Sequence, residues 1–282
     1  GLDRRAIMQV IAVEDLEQRV TTATEICEAA GVLALDYFRN RGSLVVDRKG
    51  HQDWVSEADR NVELFIREKL ENEWPEDGIV GEEHSPTAGR SGFKWVIDPI
   101  DGTTNFVNGI PAWTVDLAGV SGGETKIGVI HDACAGETYV ALRGRGATLN
   151  GSALTVAMDV GLRNGTVAVG YSNRVEELNI VPVVQALVER GAMFYRNASG
   201  ALSLAYVAAG RLLGYVEEHM NARDCLAGQL LVEEAGGRVE RQDANRMVGE
   251  GGRVVVGTPE VFDDLKAIAD ACWPGTAEPI HD

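Results

Sequence analysis

The stretch KWVIDPIDGTTNF, residues 94–106, decides how the rest of the chain is read. Trp95-Val96-Ile97 is an apolar strand run. Pro99 cannot donate to a sheet ladder, so the strand is predicted to end there with Asp98 at its carboxyl end. Ligands of open α/β sheets collect outside such strand ends. Asp101 follows three positions on, Gly102 permits a tight turn, and Thr103 and Thr104 open a short helix whose free N–H groups can hold a phosphate. Carboxylates beside an anion-binding terminus repel the anion unless a hard cation sits between them. Mg2+ meets that need, because it takes oxygen ligands and is shared between carboxylates and substrate phosphate.

Two further junctions have the same form. Glu82-Glu83 follow the strand GIVG, and Asp224 opens a helix directly after the strand LLGYVEE. Singly, each has a plain reading: Asp98 and Asp101 as turn caps, Glu82 as a solvated loop charge, Asp224 as a helix-terminus charge favoured by the dipole. Together they place carboxylates at three strand-to-loop junctions, a costly cluster to keep without a cation.

Outward from these junctions, helices and strands interleave. Residues 13–40 carry a helical apolar stripe, SLVV (43–46) reads as a short strand and DRKGHQD (47–53) as a polar turn. Ser56 followed by Asp59 suits a helix start, and Val62, Phe65, Ile66 and Leu70 carry that helix onward. GIVGEE and FKWVID are predicted strands, and WTVDLAGV, TKIGVIHD and ETYVALR an antiparallel meander. Beyond them come a strand at GTVAVGYS, a helix over Val175–Glu189, a strand at MFYR, a helix at SLAYVAAG and the strand LLGYVEE. A helix at ARDCLAGQLLVEEAGG, a strand at RVVVGT and a last helix from Pro259 finish the chain. GRGATLNG (144–151) lacks the strand-then-helix context of a dinucleotide loop and reads as a hairpin turn. The central hairpins exclude a purely parallel βαβ fold, which leaves a layered α/β structure with mixed sheets.

Composition limits the function. The 282 residues carry 26 Lys and Arg against 43 Asp and Glu, a formal net charge of −17. Such a surface repels nucleic acid and anionic lipid, so neither is expected as a direct partner, and a phosphate site would need local positive charge. Cys27, Cys134, Cys225 and Cys272 match no zinc or redox spacing and read as packing residues in a reducing compartment. The five histidines show no ligand spacing; His219 stands out only for its nearness to Glu217. No apolar run reaches ~18 residues, and the polar N-terminal stretch lacks a signal-peptide core, so a cytoplasmic location is expected.

GEE, WVIDPIDGTTNF and the D…AG…EAGG pattern together resemble the inositol monophosphatase family, over about residues 13–270. The core DPIDGTTN (98–105) is highly specific, and no Walker-A or Cys-x5-Arg phosphatase loop competes with it. The resemblance implies a layered αβαβα sandwich with mixed and antiparallel sheets, like fructose-1,6-bisphosphatase. It implies one catalytic domain over residues 1–282, with an α+β half at about 13–150 and an α/β half at about 151–270. It further implies a lithium-sensitive, homodimeric phosphatase that uses two or three Mg2+ to hydrolyse a small polyol or sugar phosphate, inositol monophosphate by default. Fructose-1,6-bisphosphate, histidinol phosphate or a nucleotide bisphosphate are alternative substrates, and a non-catalytic partnership with transcription machinery is a further alternative. By resemblance, Glu82, Asp98 and the Ile100 carbonyl hold one metal, and Asp98, Asp101 and Asp224 a second. Lys49 and Asp59, in KGHQDWVSEAD, lie near a third. Glu82 and Thr103 orient and deprotonate the attacking water; Gly102, Thr103 and Thr104 meet the phosphate; Glu217 touches substrate hydroxyls. Two positions depart from the family pattern: Arg223 replaces the usual Trp before the metal aspartate, and ASGA (198–201) replaces the usual helix start. An arginine there suits a substrate with a second anionic group.

Overall fold

The computed structural model of the chain describes residues 12–50 and 53–279. Helix α1 (Val13–Arg39) buries Ala23, Ile26, Ala30 and Ala34 on one stripe. Strands β1 (Val46–Gly50) and β2 (Asp53–Ser56) then pair as an antiparallel ribbon. This corrects the expected strand at 43–46 and turn at 47–53. A 3-10 turn covers Arg41–Ser43, and the strand starts at Val46 and runs into polar sequence. The ladder to β2 supplies what the weak strand propensity of Asp47, Arg48 and Lys49 does not. Helix α2 (Glu57–Glu73) starts at Ser56 with a full capping box, Ser56 N donating to Asp59 Oδ2 at 3.0 Å and Asp59 N to Ser56 Oγ at 3.4 Å.

The first large sheet comprises β3 (Gly78–Val80), β4 (Phe93–Asp101), β5 (Thr114–Ser121), β6 (Glu124–Asp132), β7 (Glu137–Leu142), β8 (Ala147–Leu149) and β9 (Ser152–Ala153), in sequence order. β3 runs parallel to β4 and every other pair is antiparallel, so the predicted meander is present. Helix α3 (Thr103–Val107) bridges β4 and β5. The second sheet has the order β11-β10-β12-β14-β13, from β10 (Thr166–Gly170), β11 (Met193–Tyr195), β12 (Gly214–Met220), β13 (Arg238–Val239) and β14 (Gly252–Gly257). Its helices are α4 (Val181–Glu189), α5 (Gly200–Ala208), α6 (Ala222–Glu234), α7 (Ala244–Glu250) and α8 (Phe262–Cys272). α4 starts later than the expected Val175, because Pro182 sits in its first turn and a 3-10 segment occupies Glu177–Ile180. α8 likewise starts at Phe262 rather than Pro259.

Three apolar clusters define five layers. Ile26, Ile66, Trp95 and Trp113 join α1 and α2 to one face of the first sheet. Ile130, Leu204, Leu230 and Val254 fill the space around α5 and α6, which lie between the sheets. Val169, Val183, Val255 and Leu265 seal α4 and α8 onto the outer face of the second sheet. The architecture is thus the layered αβαβα sandwich, with helices on both outer faces and between the sheets. Among the described residues no helix is long and apolar enough to cross a membrane, and the four cysteines are free thiols, Cys27 and Cys225 buried.

Candidate active site

β4 does not stop at Pro99, as the sequence suggested, but continues to Asp101 through an irregularity between Asp98 and Asp101. In a regular strand, residues three apart face opposite sides; a bulge, where a proline is tolerated, resets the alternation. Here it brings both carboxylates to one side, and Asp116 of β5, in register with Asp98, joins them. Ligand oxygens of Asp98, Asp101 and Asp116 all lie within 4.8 Å of one another. Gly102 then turns the chain with φ of 90°, where a Cβ would press on the Ala112 carbonyl at 2.8 Å, so glycine is required. Thr103 Oγ1 donates to Asp59 Oδ1 at 2.8 Å, while Asp59 Oδ2 accepts from the Ser56 hydroxyl at 2.6 Å. Asp59 therefore reaches the site through Thr103.

The Glu82 loop is held from beneath. Glu63, fully buried on α2, accepts from the backbone N–H of Glu82 at 2.8 Å and of Glu83 at 3.0 Å. Arg67, one turn on, donates to Glu63 at 3.1 Å and to the His84 carbonyl at 3.0 Å. Gly81 permits the approach, since a Cβ there would lie 2.3 Å from Glu63 Oε1. Across the cavity, the first turn of α6 supplies Asp224 and Arg223. Arg223 Nη2 lies 3.2 Å from Glu82 Oε1 and its Nε 3.8 Å from Asp224 Oδ1, with 23% of the side chain exposed. It faces the cavity, and it does so as a counter-charge to the acids.

The far wall belongs to the second sheet. Glu217 is buried on β12; it accepts from the Tyr215 hydroxyl at 2.5 Å and from Arg174 Nη2 at 3.2 Å. Arg196 lies over the Tyr171 ring at 4.4 Å. Ser199 Oγ, which caps α5, donates to Asp101 Oδ1, and Asn105 Nδ2 donates to the Asn197 carbonyl at 2.6 Å. These bonds tie the two sheets together at the mouth of a cavity of about 570 Å³.

Burial dominates the electrostatics. It pushes the Asp98 and Asp116 carboxyls well above the usual carboxylate range, reinforced for both by the charge of Asp101. Burial and then the charge of Asp224 push Asp101 up to about 7 against the hydrogen bond from Ser199. Glu217 is pushed to about 7, also by burial, with the Tyr215 hydroxyl and Arg174 opposing. Carboxylates so placed resist ionising together, and one oxygen of Asp116 is buried with no hydrogen-bond partner. An all-oxygen, strongly anionic donor set of this kind fits a hard divalent cation.

Of the expected residues, Glu82, Asp98, Ile100, Asp101, Gly102, Thr103, Thr104, Glu217, Arg223 and Asp224 all line this one cavity. The side chain of Lys49 lies outside the described part of the chain, as does His51. His219 turns away, its Nε2 3.0 Å from the Glu250 carbonyl. Sequence reasoning missed Asp116, Arg174, Arg196 and Glu63. Asp116 had a visible signal, being the single charge within WTVDLAGV. Arg174 and Arg196 follow β10 and β11, parallel strands whose carboxyl ends are where ligands collect.

Comparison with known proteins identifies the family. The family model for the inositol monophosphatase family matches residues 15–273. Nus factor SuhB of Haemophilus influenzae is 34% identical over 241 residues, covering 84% of this chain and 90% of that protein. The extragenic suppressor protein SuhB of Bartonella henselae superposes with a TM-score of 0.83 at 30% identity, covering 90% of this chain and 98% of that one. An IMPase of Thermotoga maritima superposes with a TM-score of 0.80 at 28% identity, with 90% and 98% covered. This chain belongs to the inositol monophosphatase family.

Proposed function

We propose that this protein is a Mg2+-dependent phosphomonoesterase acting on a small polyol or sugar phosphate, with inositol monophosphate the first candidate. The observation that carries the reading is the convergence of Glu82, Asp98, Asp101 and Asp224 from three separate strand ends on one cavity. Glu82, Asp98 and the Ile100 carbonyl would hold one ion, and Asp98, Asp101 and Asp224 a second. When bound, Mg2+ supplies charge neutralisation for the transferring phosphoryl group and activation of the attacking water.

The chain's own groups do the remainder. Thr103 Oγ1 donates its proton toward Asp59 Oδ1, leaving its lone pairs to take a proton from water. Burial raises the Asp59 pKa, which suits it to receive the proton that Thr103 passes on. Backbone N–H groups of Gly102, Thr103 and Thr104 meet the phosphate oxygens. Glu217 accepts from substrate hydroxyls, with Arg174 fixing its second oxygen. Arg174, Arg196 and Arg223 supply the local positive charge that a phosphate substrate needs on a chain of net charge −17.

Phosphate release from inositol monophosphate, fructose-1,6-bisphosphate, histidinol phosphate and a nucleotide bisphosphate, with Mg2+ and with excess EDTA, tests the reading. Full turnover in EDTA, or none on any ester with Mg2+, refutes it. Inhibition by Li+ is expected in the same assay, and the homodimer implied by the family is checked by light scattering. Cytoplasmic localisation belongs to the same proposal. The relatives named Nus factor SuhB favour a second role, as a partner of transcription machinery. Asp98→Asn separates the two, since it should strongly reduce hydrolysis and leave such a partnership intact.

A further inference from the structure

Asp116 has no part in the mechanism just described, yet it is buried beside two acids that do. It lies on β5 directly opposite Asp98, with 1% of the residue exposed. Its Oδ1 accepts from the Thr114 hydroxyl at 2.8 Å, which fixes the carboxylate plane. Its Oδ2 is buried and has no hydrogen-bond partner. Among the described residues no arginine, lysine or histidine pairs with it. Buried polar atoms in native folds find partners, and a buried acid serving only the fold would satisfy both oxygens. This one leaves an oxygen without a partner, in a carboxylate that brings an oxygen within 4.8 Å of the ligand oxygens of Asp98 and Asp101.

We propose that Asp116 is a metal ligand, which with Asp98 and Asp101 forms a buried divalent-cation seat behind the acids that line the cavity. The inference rests on the metal-dependent reading above and extends its ligand set. Two adjacent antiparallel strands carry all three acids, so the ladder between β4 and β5 holds them in place before the ion arrives. A divalent ion among Asp98, Asp101 and Asp116 offsets most of the mutual repulsion of their negative charges. The seat also carries a preference. Mg2+ dehydrates reluctantly and is usually bound through one or two protein carboxylates. A third buried carboxylate displaces water, so it favours Mn2+, whose coordination is less demanding, over Mg2+.

The test is calorimetric titration of EDTA-stripped protein with MnCl2 and with MgCl2, for wild type, Asp116→Asn, Asp116→Ser and Asp98→Asn. Circular dichroism selects the Asp116 variant that folds. Such a variant should bind Mn2+ about tenfold more weakly than wild type, with a smaller loss for Mg2+. Mn2+ affinity within threefold of wild type, while Asp98→Asn is weakened, overturns the assignment and leaves the phosphatase reading standing. Failure of the wild-type protein to bind either ion overturns both.

Discussion

Replacing Asp101 by asparagine should make the metal-free protein more stable at neutral pH. The side chain keeps its shape and can still accept from Ser199 Oγ and from the Ala201 N–H. What it loses is a charge that the folded state resists. The Asp101 pKa rises from 3.8 to about 7, chiefly through burial and then through Asp224. Between those values the folded state binds the proton more tightly than the unfolded chain, so wild-type stability falls as pH rises and is fully retained only below about pH 4. At about 1.36 kcal/mol per pH unit the window amounts to about 4 kcal/mol. That is a large fraction of the roughly 5–15 kcal/mol that holds a domain folded. Urea unfolding in EDTA from pH 4 to 8 measures it. The two proteins should nearly coincide at pH 4, and the Asn variant should lead by about 2–4 kcal/mol at pH 7.5. Excess Mg2+ should reverse the order, because the wild type retains the ligand. A variant less stable than wild type at pH 7.5 in EDTA, or a pH-independent gap, refutes the electrostatic account.

Asp98→Asn should lower the rate of phosphate release about a thousandfold, roughly 4 kcal/mol of transition-state stabilisation; steady-state activity within tenfold of wild type removes Asp98 from the metal site. Arg223→Ala should raise KM about tenfold, roughly 1.4 kcal/mol, for a substrate with a second anionic group and leave kcat nearly unchanged. Equal kinetics across the substrate panel would confine Arg223 to balancing Glu82 and Asp224. Glu63→Ala should cost about 3–5 kcal/mol in urea unfolding, because it strands the buried Arg67 charge and two backbone N–H groups. A loss under 1 kcal/mol would show that another group holds the Glu82 loop.

Much of this was legible in the sequence because the chemistry clusters at strand ends. DPIDGTTN alone pointed to where β4 meets the cavity, and the apolar periodicity placed α1 and α2. What failed did so for physical reasons. The β1–β2 ribbon is made of polar residues whose pairing partner, not their own propensity, makes them strands. The passage of β4 through Pro99 depends on a bulge, which only the register with β5 reveals. Glu63 reads as one of several acids on an amphipathic helix, and its role appears only when the Glu82 loop is seen folded over it. Asp116 was visible as a charge in an apolar strand, but its partner across the ladder was not.

The two walls of the cavity come from different sheets, and this divides the protein's evolutionary freedom. Acids that would carry the hydrolytic step sit mainly on adjoining strands of the first sheet, where a change in one displaces the others. Arg174, Arg196 and Ser199 sit beyond β10 and β11, in loops that can change length without moving that register. Bonds that cross the gap include Ser199 to Asp101 and Asn105 to the Asn197 carbonyl. A lineage can therefore exchange one phosphate ester for another by redrawing residues 171–174 and 196–199 while the acidic wall is inherited unaltered.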